Sequence, residues 1–312
     1  MIAIVIPYYN YRFFSQTLES LAFQTDKRFN VYIGDDCSPD DPGKIISKFE
    51  TLITIKYKRF EYNLGQHSLS EHWNRCVALI NNESWIMVLG DDDIIHNNVI
   101  ENFYKNINQI QLCGSTLIRL STIVIDENNQ VISQRFLHPI KELAKYSLFR
   151  KMRDETRSSL TEYIISIQSF NEHKFKHYPL AWHSDDRAWI EFSGEKSIFT
   201  INDAIAYIRV SGYSISGNTN NMQLKREANH LFFNYLIKKN LNYTKSEFKF
   251  LINNFVHFLK LNNNFNVKVF VFIITTCIQN LYLKLAFSTA NKIILYKIRS
   301  LLKIARYKLK QL

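Results

Sequence analysis

Three consecutive aspartates, Asp91, Asp92 and Asp93, follow the apolar run at residues 85–89. A short apolar run of this kind predicts a buried strand, so the three carboxylates stand where that strand ends. Carboxylates this close together repel one another, and the repulsion is relieved by raised pKa values or by a bound cation. Mg²⁺ and Mn²⁺ take oxygen ligands of this type. The cluster therefore predicts a divalent-metal site, and a metal-bridged phosphate is the substrate that suits it.

A second acidic pair, Asp35 and Asp36, stands in the same position after an earlier predicted strand. Predicted strands at residues 2–6, 29–34, 54–58 and 85–89 alternate with helical patterns at residues 15–24, 41–49 and 68–80, for which Ser15 and Ser68 are candidate N-caps. This order predicts βαβ units around a mostly parallel sheet, which is an α/β fold. Such sheets bind ligands at the carboxyl ends of their strands, where both acidic clusters fall.

The middle of the chain is less regular. Strands are predicted at residues 117–125, 131–136, 198–201 and 204–209, and a helix at residues 185–192. Together these elements predict one catalytic domain over residues 1–220. The helical, basic remainder predicts a C-terminal extension over residues 221–312.

Composition limits the class of protein. With 46% hydrophobic residues, the 312-residue chain can bury a sizeable core. The four cysteines form no CxxC pair, which argues against a zinc site or a disulfide framework and fits a reducing cytoplasm. We expect no secretory signal, because the first residues are strand-like rather than basic and then apolar.

Several short motifs occur in an order that identifies a family. They are Val5-Ile6-Pro7-Tyr8-Tyr9-Asn10, Ile33-Gly34-Asp35-Asp36-Cys37-Ser38-Pro39-Asp40, Asn63-Leu64-Gly65, Trp73-Asn74-Arg75 and Leu89-Gly90-Asp91-Asp92-Asp93. In this order the chain resembles the family 2 glycosyltransferases, closely to Asp93 and more loosely to about Ser216. The resemblance implies the GT-A fold, in which a mostly parallel central sheet is flanked by helices. It also implies transfer of a sugar from a nucleotide-sugar donor with inversion.

The resemblance assigns residues to the donor and to a metal ion. Donor-binding positions are Pro7 and Tyr9 in the first motif, Asp36 at the uracil or ribose, Asn74 and Arg75 beside the nucleotide, Asp91 near ribose, and Arg209 at the diphosphate. Asp92 matches the carboxylate that coordinates Mn²⁺ or Mg²⁺, with help from Asp93 or from water, and the diphosphate oxygens would supply the other ligands. The chain departs from the family pattern at Gly90, Cys37 and Ser211, where relatives carry Asp, Gly and His. A histidine metal ligand is therefore not predicted.

Inverting transfer also needs a general base, because the attacking hydroxyl loses its proton as the new bond forms. The family places this base in an acidic pair that opens a helix, with a Trp four residues on. Asp185 and Asp186 match that pair, and the position of Trp189 favours Asp185.

Alternatives remain open at each motif. Asp35 and Asp36, like Asp185 and Asp186, could serve as helix caps or N-terminal charges, and the three aspartates could form a solvated turn. Arg209 could be a surface residue. The three departures also permit an inert nucleotide-sugar-binding or scaffold protein of a polysaccharide assembly complex. A sugar-nucleotide pyrophosphorylase is disfavoured, since residues 8–12 contain no glycine for a phosphate loop.

The formal net charge of +11 is concentrated in the tail, because residues 266–312 carry nine Lys or Arg and no Asp or Glu. Residues 292–310 set Ile294, Ile298, Leu301, Ala305 and Leu309 on one helical face. This pattern predicts either a helix lying on an anionic membrane surface, or an appendage packed on the catalytic domain or on a second subunit. Nucleic acid is the least favoured partner, since no zinc-knuckle, RNP-like or helix-turn-helix signature is present. The apolar residues 269–278 are too few to span a bilayer.

The resemblance also suggests a biological setting. It implies a lipid-linked glycan acceptor, carried on undecaprenyl diphosphate, in O-antigen or capsule assembly. The expected location is the cytoplasm, at the inner face of the bacterial plasma membrane.

Overall fold

The computed structural model describes residues 1–212, 221–262, 267–279 and 282–309. Two compact units contain residues 1–228 and 229–312. The strands are β1 Ile2–Tyr8, β2 Phe29–Asp35, β3 Ile55–Arg59, β4 Trp85–Val88, β5 Ile94–Ile95, β6 Leu117–Ile125, β7 Lys141–Leu143, β8 Tyr163–Ser166 and β9 Ser197–Arg209. The helices are α1 Tyr11–Ala22, α2 Gly43–Ile46, α3 Gly65–Val77, α4 Val99–Leu112, α5 Ala144–Met152, α6 Ile167–His173, α7 Ser184–Ser193, α8 Met222–Lys239, α9 Lys245–Leu261, α10 Val267–Gln279 and α11 Leu283–Leu309.

Within the described residues, nine strands form one sheet in the order β3-β2-β1-β4-β8-β6-β9-β5, and β7 pairs with β9. The long pairings are parallel: β1 with β2 and β4, β2 with β3, and β6 with β9. The antiparallel pairings each join only two or three residue pairs. Because β1, β2 and β4 run in parallel, their carboxyl ends meet at one edge, and both acidic clusters lie there. The predicted α/β fold with a mostly parallel sheet is confirmed.

The central strands are apolar because helices cover both faces of a parallel sheet. Ile2, Ile4 and Ile6 of β1 are fully buried, as are Val31 and Ile33 of β2. Helices α1 and α4 contribute Phe14, Leu18 and Phe103 to the same core. This core holds the strand ends in place, and with them the acidic side chains.

Helix starts were predicted with mixed success. The N-cap of α1 is Asn10, whose side chain accepts a hydrogen bond from the Arg12 amide, so the prediction that Ser15 caps this helix is wrong. The prediction for Ser68 is confirmed. Its backbone is non-helical (φ −153°, ψ 96°), and its hydroxyl accepts from the Glu71 amide at 3.4 Å, so the regular part of α3 begins after it.

The predicted strand at residues 131–136 is wrong. This segment makes only two isolated bridges, Thr122 with Phe136 and Ile125 with Val131. The Ser133 hydroxyl accepts from the Val124 amide at 2.8 Å, so a side chain replaces part of the ladder. Residues 198–201 and 204–209 form the single strand β9, whose register with β6 shifts at Leu120/Ser121.

The second unit is helical. Its buried side chains include Leu251 and Phe255 of α9, Ile273 of α10 and Ile293 of α11. Helix α9 begins with a capping box formed by Thr244 and Glu247. No helix in the described ranges combines the length and the apolarity needed to cross a membrane. The predicted domain end near residue 220 and the side chains of Leu301, Ala305 and Leu309 lie outside the described residues.

Candidate active site

Asp91 ties the end of β4 to the end of β1. Its Oδ2 accepts hydrogen bonds from the backbone amides of Tyr9 at 2.8 Å and Asn10 at 2.7 Å. Burial raises the pKa of Asp91 to about 6 against the effect of these two amides. Pro7 is half-buried in β1, and the Tyr9 side chain is exposed. The contact therefore fixes the first motif against the aspartate turn, which is residues 90–93.

Asp93 is held by the turn before β8 and by the end of β9. Its carboxylate accepts from the Thr161 hydroxyl at 2.5 Å and from the Arg209 amide at 2.8 Å. The same Thr161 hydroxyl accepts from the Gly90 amide at 3.1 Å. Each oxygen of Asp93 thus already has a protein donor, and the residue fixes the shape of the aspartate turn.

Asp92 differs from both neighbours. Its carboxylate accepts no hydrogen bond from another described residue, whereas its backbone carbonyl accepts from Arg209 Nε at 2.7 Å. Burial, Asp93 and Asp91 together raise the pKa of Asp92 well above its ordinary value. A partly buried carboxylate in this state gains most from a cation, since a cation offsets both the desolvation and the repulsion.

The close approach of two carboxylates accounts for the glycine at position 90. A Cβ atom there would lie 3.1 Å from Asp92 Oδ1 and 3.1 Å from Asp93 Oδ2. An aspartate, which the family pattern has at this position, would crowd the two carboxylates that follow. Nowhere in the described part of the chain do three His, Cys, Asp or Glu side chains converge as a complete metal-binding group. A cation at Asp92 would therefore take further ligands from substrate and water.

Arg209 braces the aspartate turn. Besides the Asp92 carbonyl, its guanidinium donates to the Asp126 carbonyl and to Gln16 Oε1, each at 2.8 Å. It also lies 4.3 Å from the centre of the Phe13 ring. Burial lowers the pKa of Arg209 despite the nearby aspartates. Arg209 is 2% exposed, so the alternative that it is a surface residue is wrong.

Asp36 is buried and fully bonded. It accepts from the backbone amides of Leu64 and Gly65, each at 2.8 Å, and from the Arg75 guanidinium. Arg75 also donates to the Tyr62 carbonyl and lies 3.9 Å from the centre of the Phe60 ring. Asp36 and Arg75 therefore shape the turn that leads into α3.

The two neighbours of Asp36 in its motif are also accounted for. Asp35 is fully buried and accepts from the Ser38 amide, the Tyr57 hydroxyl and Arg59. Cys37 takes the left-handed conformation, with φ of 55°. This is the conformation that the family's usual glycine adopts without strain, so the turn keeps its shape with cysteine in place of glycine.

Asn74 connects α3 to a distant loop. Its side-chain amide donates to the Phe175 carbonyl at 2.9 Å and accepts from the Phe175 amide at 3.0 Å. These two hydrogen bonds have the pattern of those between paired backbone strands. Asn74 is thereby engaged in fixing the segment that leads to α7.

Asp185 and Asp186 lie in the first turn of α7, but their environments differ. Asp186 Oδ1 pairs with Lys151 Nζ at 2.6 Å, and its Oδ2 pairs with His183 Nδ1 at 2.7 Å. Burial alone would raise the pKa of Asp186, but Lys151 and His183 outweigh it and hold that pKa well below its ordinary value. Asp186 is thus ionised and saturated by its partners.

Asp185 accepts a single hydrogen bond from the described residues, from the amide of Asp186 at 2.9 Å. Burial and the charge of Asp186 raise the pKa of Asp185 to about 6. A carboxylate with this pKa is ionised near neutrality and still basic enough to accept a proton.

The chain just before α7 is strained. Leu180, Ala181 and His183 all have positive φ, at 58°, 53° and 72°. Three such residues within four positions, none of them glycine, are costly, and strain of this kind concentrates at ligand sites.

Sequence reasoning missed Lys151, Thr161 and Glu162. Lys151 adjoins a cavity of about 10 Å³, large enough for one water molecule, that is also lined by Asp186, Tyr163 and Trp189. Glu162 is buried, which raises its pKa to about 7 although Arg157 and Arg119 oppose this. Lys151 acts electrostatically on Asp185, Asp186 and Glu162, and Arg157 acts on Glu162 and Asp93. These charges link the acidic pair of α7 to the aspartate turn, and no local sequence signal marks them.

Comparisons with known proteins agree with this architecture. The model of glycosyl transferase family 2 matches residues 3–166. An uncharacterized glycosyltransferase of Rickettsia conorii is 26% identical over 226 residues, which are 68% of this chain and 33% of that relative. The chain therefore spans about a third of the length of that relative.

Solved structures of S. aureus TarS share the fold. A complex of TarS 1-349 with UDP-GlcNAc superposes with a TM-score of 0.64 at 16% identity, over 88% of this chain and 79% of that chain. A second TarS structure gives 0.59 at 17% identity, over 86% and 45%. A complex of TarS 1-349 with UDP gives 0.55 at 16% identity, over 93% and 87%. The predicted GT-A fold class is confirmed, and since the family model covers just over half of the sequence, the chain belongs to glycosyl transferase family 2.

Proposed function

We propose that the chain is an inverting, metal-dependent glycosyltransferase that moves a hexosyl or N-acetylhexosaminyl group from a UDP-linked donor to a hydroxyl of a glycan. One observation carries the proposal. The aspartate turn and the acidic pair of α7 each contain one carboxylate that accepts at most one hydrogen bond from the described residues. These carboxylates are Asp92 and Asp185. The neighbours Asp93 and Asp186 are saturated by protein donors.

UDP is the proposed nucleotide because TarS, which shares the fold, has been solved with UDP-GlcNAc and with UDP. Tyr9 offers an exposed ring next to the aspartate turn, and Pro7 precedes it in the same motif. Asp36, Asn74 and Arg75 are engaged with the protein. In the proposal they form and position the wall of the nucleotide site, and Asp91 holds the first motif against it.

Asp92 is the proposed ligand of Mn²⁺ or Mg²⁺, and Asp93 fixes its position. Such an ion, when bound, neutralises the charge that builds on the departing diphosphate. Arg209 holds the Asp92 carbonyl and adds positive charge close to the diphosphate. All three nitrogens of its guanidinium are hydrogen-bonded to the protein, which supports a positioning role beside the phosphate contact predicted from the sequence.

Asp185 is the proposed general base. The acceptor hydroxyl gives its proton to Asp185 as its oxygen attacks the anomeric carbon, and the bond from that carbon to the diphosphate oxygen breaks. Asp186 and Lys151 hold the first turn of α7 in place. Asp186 is the less suitable base, because a proton would displace one of its two hydrogen-bonded partners, Lys151 or His183.

The proposed acceptor is a glycan linked to undecaprenyl diphosphate, in O-antigen or capsule assembly, at the inner face of the plasma membrane. The support is family resemblance together with a basic C-terminal unit.

The test is a panel of nucleotide-sugars incubated with the purified protein and Mn²⁺, with release of nucleoside diphosphate as the readout. We expect release from at least one UDP-sugar, increased by a suitable acceptor. A protein that binds UDP but releases nothing across the panel would instead be an inert nucleotide-sugar-binding or scaffold protein.

A further inference from the structure

Helix α11 has two apolar faces, and only one of them is used inside its unit. Leu285, Ala286, Thr289 and Ile293 are buried at helical spacing. A second line, formed by Phe287, Ile294, Ile298 and Leu302, is between 47% and 72% exposed. We call this second line the α11 stripe. Its spacings of seven, four and four residues keep its members on one side of the helix.

The α11 stripe lies between basic side chains. Lys297 and Arg299 are the chain neighbours of Ile298, so they project about 100° to either side of it. Lys284 and Lys292 are also exposed on this helix. Residues 266–312 contain no acidic residue that could neutralise these charges.

Helix α10 repeats the feature. Val267, Val271 and Ile278 are exposed at spacings of four and seven residues, which places them on one side of the helix. Two helices of one unit therefore expose apolar lines, although soluble proteins rarely leave contiguous apolar surface open to water.

We infer that the α11 stripe docks the protein on an anionic lipid bilayer, with its apolar side chains in the headgroup region and its lysines and arginines against the lipid phosphates. Helices with an apolar face bordered by Lys and Arg bind membrane surfaces in this way. A second copy of the chain is a poor occupant, because it would bring the same positive charges face to face. The inference deepens the proposed function, with which it shares the lipid-linked acceptor. Its own evidence is the exposed apolar side chains of α11 and the basic residues beside them.

The experiment is co-sedimentation of the full chain with phosphatidylglycerol vesicles and, separately, with phosphatidylcholine vesicles, at about 0.1 M salt. We expect binding to the anionic vesicles and at least tenfold weaker binding to the neutral ones. Replacing Lys297 and Arg299 together by Gln should weaken partitioning by roughly 25-fold, because each basic residue near an anionic surface contributes about fivefold. Phe287→Ser combined with Ile298→Ser should weaken it at least tenfold.

Matched controls come from α9 of the same unit. Leu261→Ser alters a side chain that is 72% exposed but lies off the stripe, and Lys245→Gln with Lys249→Gln removes the same charge as the basic pair variant. Both controls should bind like the unaltered chain, and circular dichroism should give the same helix content for every variant.

Two results would overturn the inference. One is an absence of sedimentation with phosphatidylglycerol vesicles, and the other is equal loss of binding in stripe and control variants. A stripe variant that changes oligomeric state by light scattering, with no vesicle binding in the unaltered chain, would assign the stripe to a second copy. The assay uses neither donor nor acceptor, so vesicle binding without nucleoside diphosphate release would refute the proposed function alone.

Discussion

At the scale of single residues, the two carboxylates of the acidic pair in α7 have different pKa values because their surroundings differ. Asp185 and Asp186 are adjacent in the chain, yet burial and a like charge raise the pKa of Asp185, whereas Lys151 and His183 lower the pKa of Asp186. Neighbouring carboxyl groups whose pKa values are pushed apart are typical of acid–base catalysis. The sequence alone could not make this distinction, because it depends on Lys151, which is 34 positions before Asp185.

Asp185→Asn tests the base. We expect turnover to fall by about 10²- to 10⁴-fold, because an amide cannot accept the hydroxyl proton, while UDP affinity stays unchanged. Initial rates and calorimetric titration with UDP measure the two quantities. Glu195→Gln, which alters an exposed carboxylate beyond the end of α7, is the control. Retained turnover in Asp185→Asn would move the base to Asp186 or elsewhere.

The pH dependence of transfer tests the role of Lys151. The base must be ionised, so the rate should rise as pH increases through about 6, the pKa to which burial and Asp186 raise Asp185. The positive charge of Lys151 opposes that rise in the pKa of Asp185, and Asp186 also pairs with His183 Nδ1. Lys151→Met should therefore shift the acidic limb of the kcat profile to higher pH, whereas Lys151→Arg should restore it. An unmoved limb in Lys151→Met would leave Lys151 a structural role alone.

Asp92→Ala tests the metal assignment. We expect UDP affinity in the presence of Mn²⁺ to fall at least about tenfold, to the value measured without Mn²⁺, because the available carboxylate of the aspartate turn is lost. Calorimetric titration with and without Mn²⁺ gives both affinities. Asp203→Ala removes an exposed aspartate of β9 and should change neither. Equal affinities for Asp92→Ala and the unaltered chain in Mn²⁺ would contradict the assignment.

At the scale of elements, the turn before α3 depends on a glycine for space. A Cβ at Gly65 would lie 2.4 Å from Asp36 Oδ2, so Gly65→Ala must displace the carboxylate that accepts the Gly65 and Leu64 amides. We expect a loss of about 1–3 kcal/mol in the free energy of unfolding. Thermal denaturation measures it.

Gly43→Ala is the matched control for that change. Its Cβ would come no closer than 3.2 Å, to the exposed Asp41 carboxylate, and Ala is favoured over Gly in a helix. It should be close to neutral. Equal melting temperatures for the two variants would show that the Asp36 contacts do not hold this turn.

The elements that the sequence predicted well are those with strong local patterns. β1, β2 and β4 were located because buried parallel strands are continuous apolar runs, and the acidic clusters at their ends followed from topology. Residues 131–136 look like a strand by composition, but Ser133 bonds the backbone of β6 in place of a ladder. Asn10 was missed as the cap of α1 because Asp91, 81 residues away, holds the chain there.

At the scale of the whole molecule, the buried side chains form two cores, one in each unit. Residues 1–228 enclose the sheet, and residues 229–312 enclose a set of helices with its own buried side chains. The sequence predicted a division at residue 220 from the change to helical pattern. The exposed apolar line of α11 did not follow from that pattern, because periodicity alone cannot say which of two apolar faces a unit buries.

Separate cores should unfold separately, since each unit has its own cooperative set of contacts. We expect two calorimetric transitions. Phe199→Ala, in β9, should lower only the transition of the sheet unit, and Phe255→Ala, in α9, only that of the helical unit. Both side chains are at most 2% exposed, so each truncation should cost about 3–5 kcal/mol and shift its transition by more than about 5 °C. If both variants shift one shared transition, the units fold as a single cooperative body and the division into two domains is wrong.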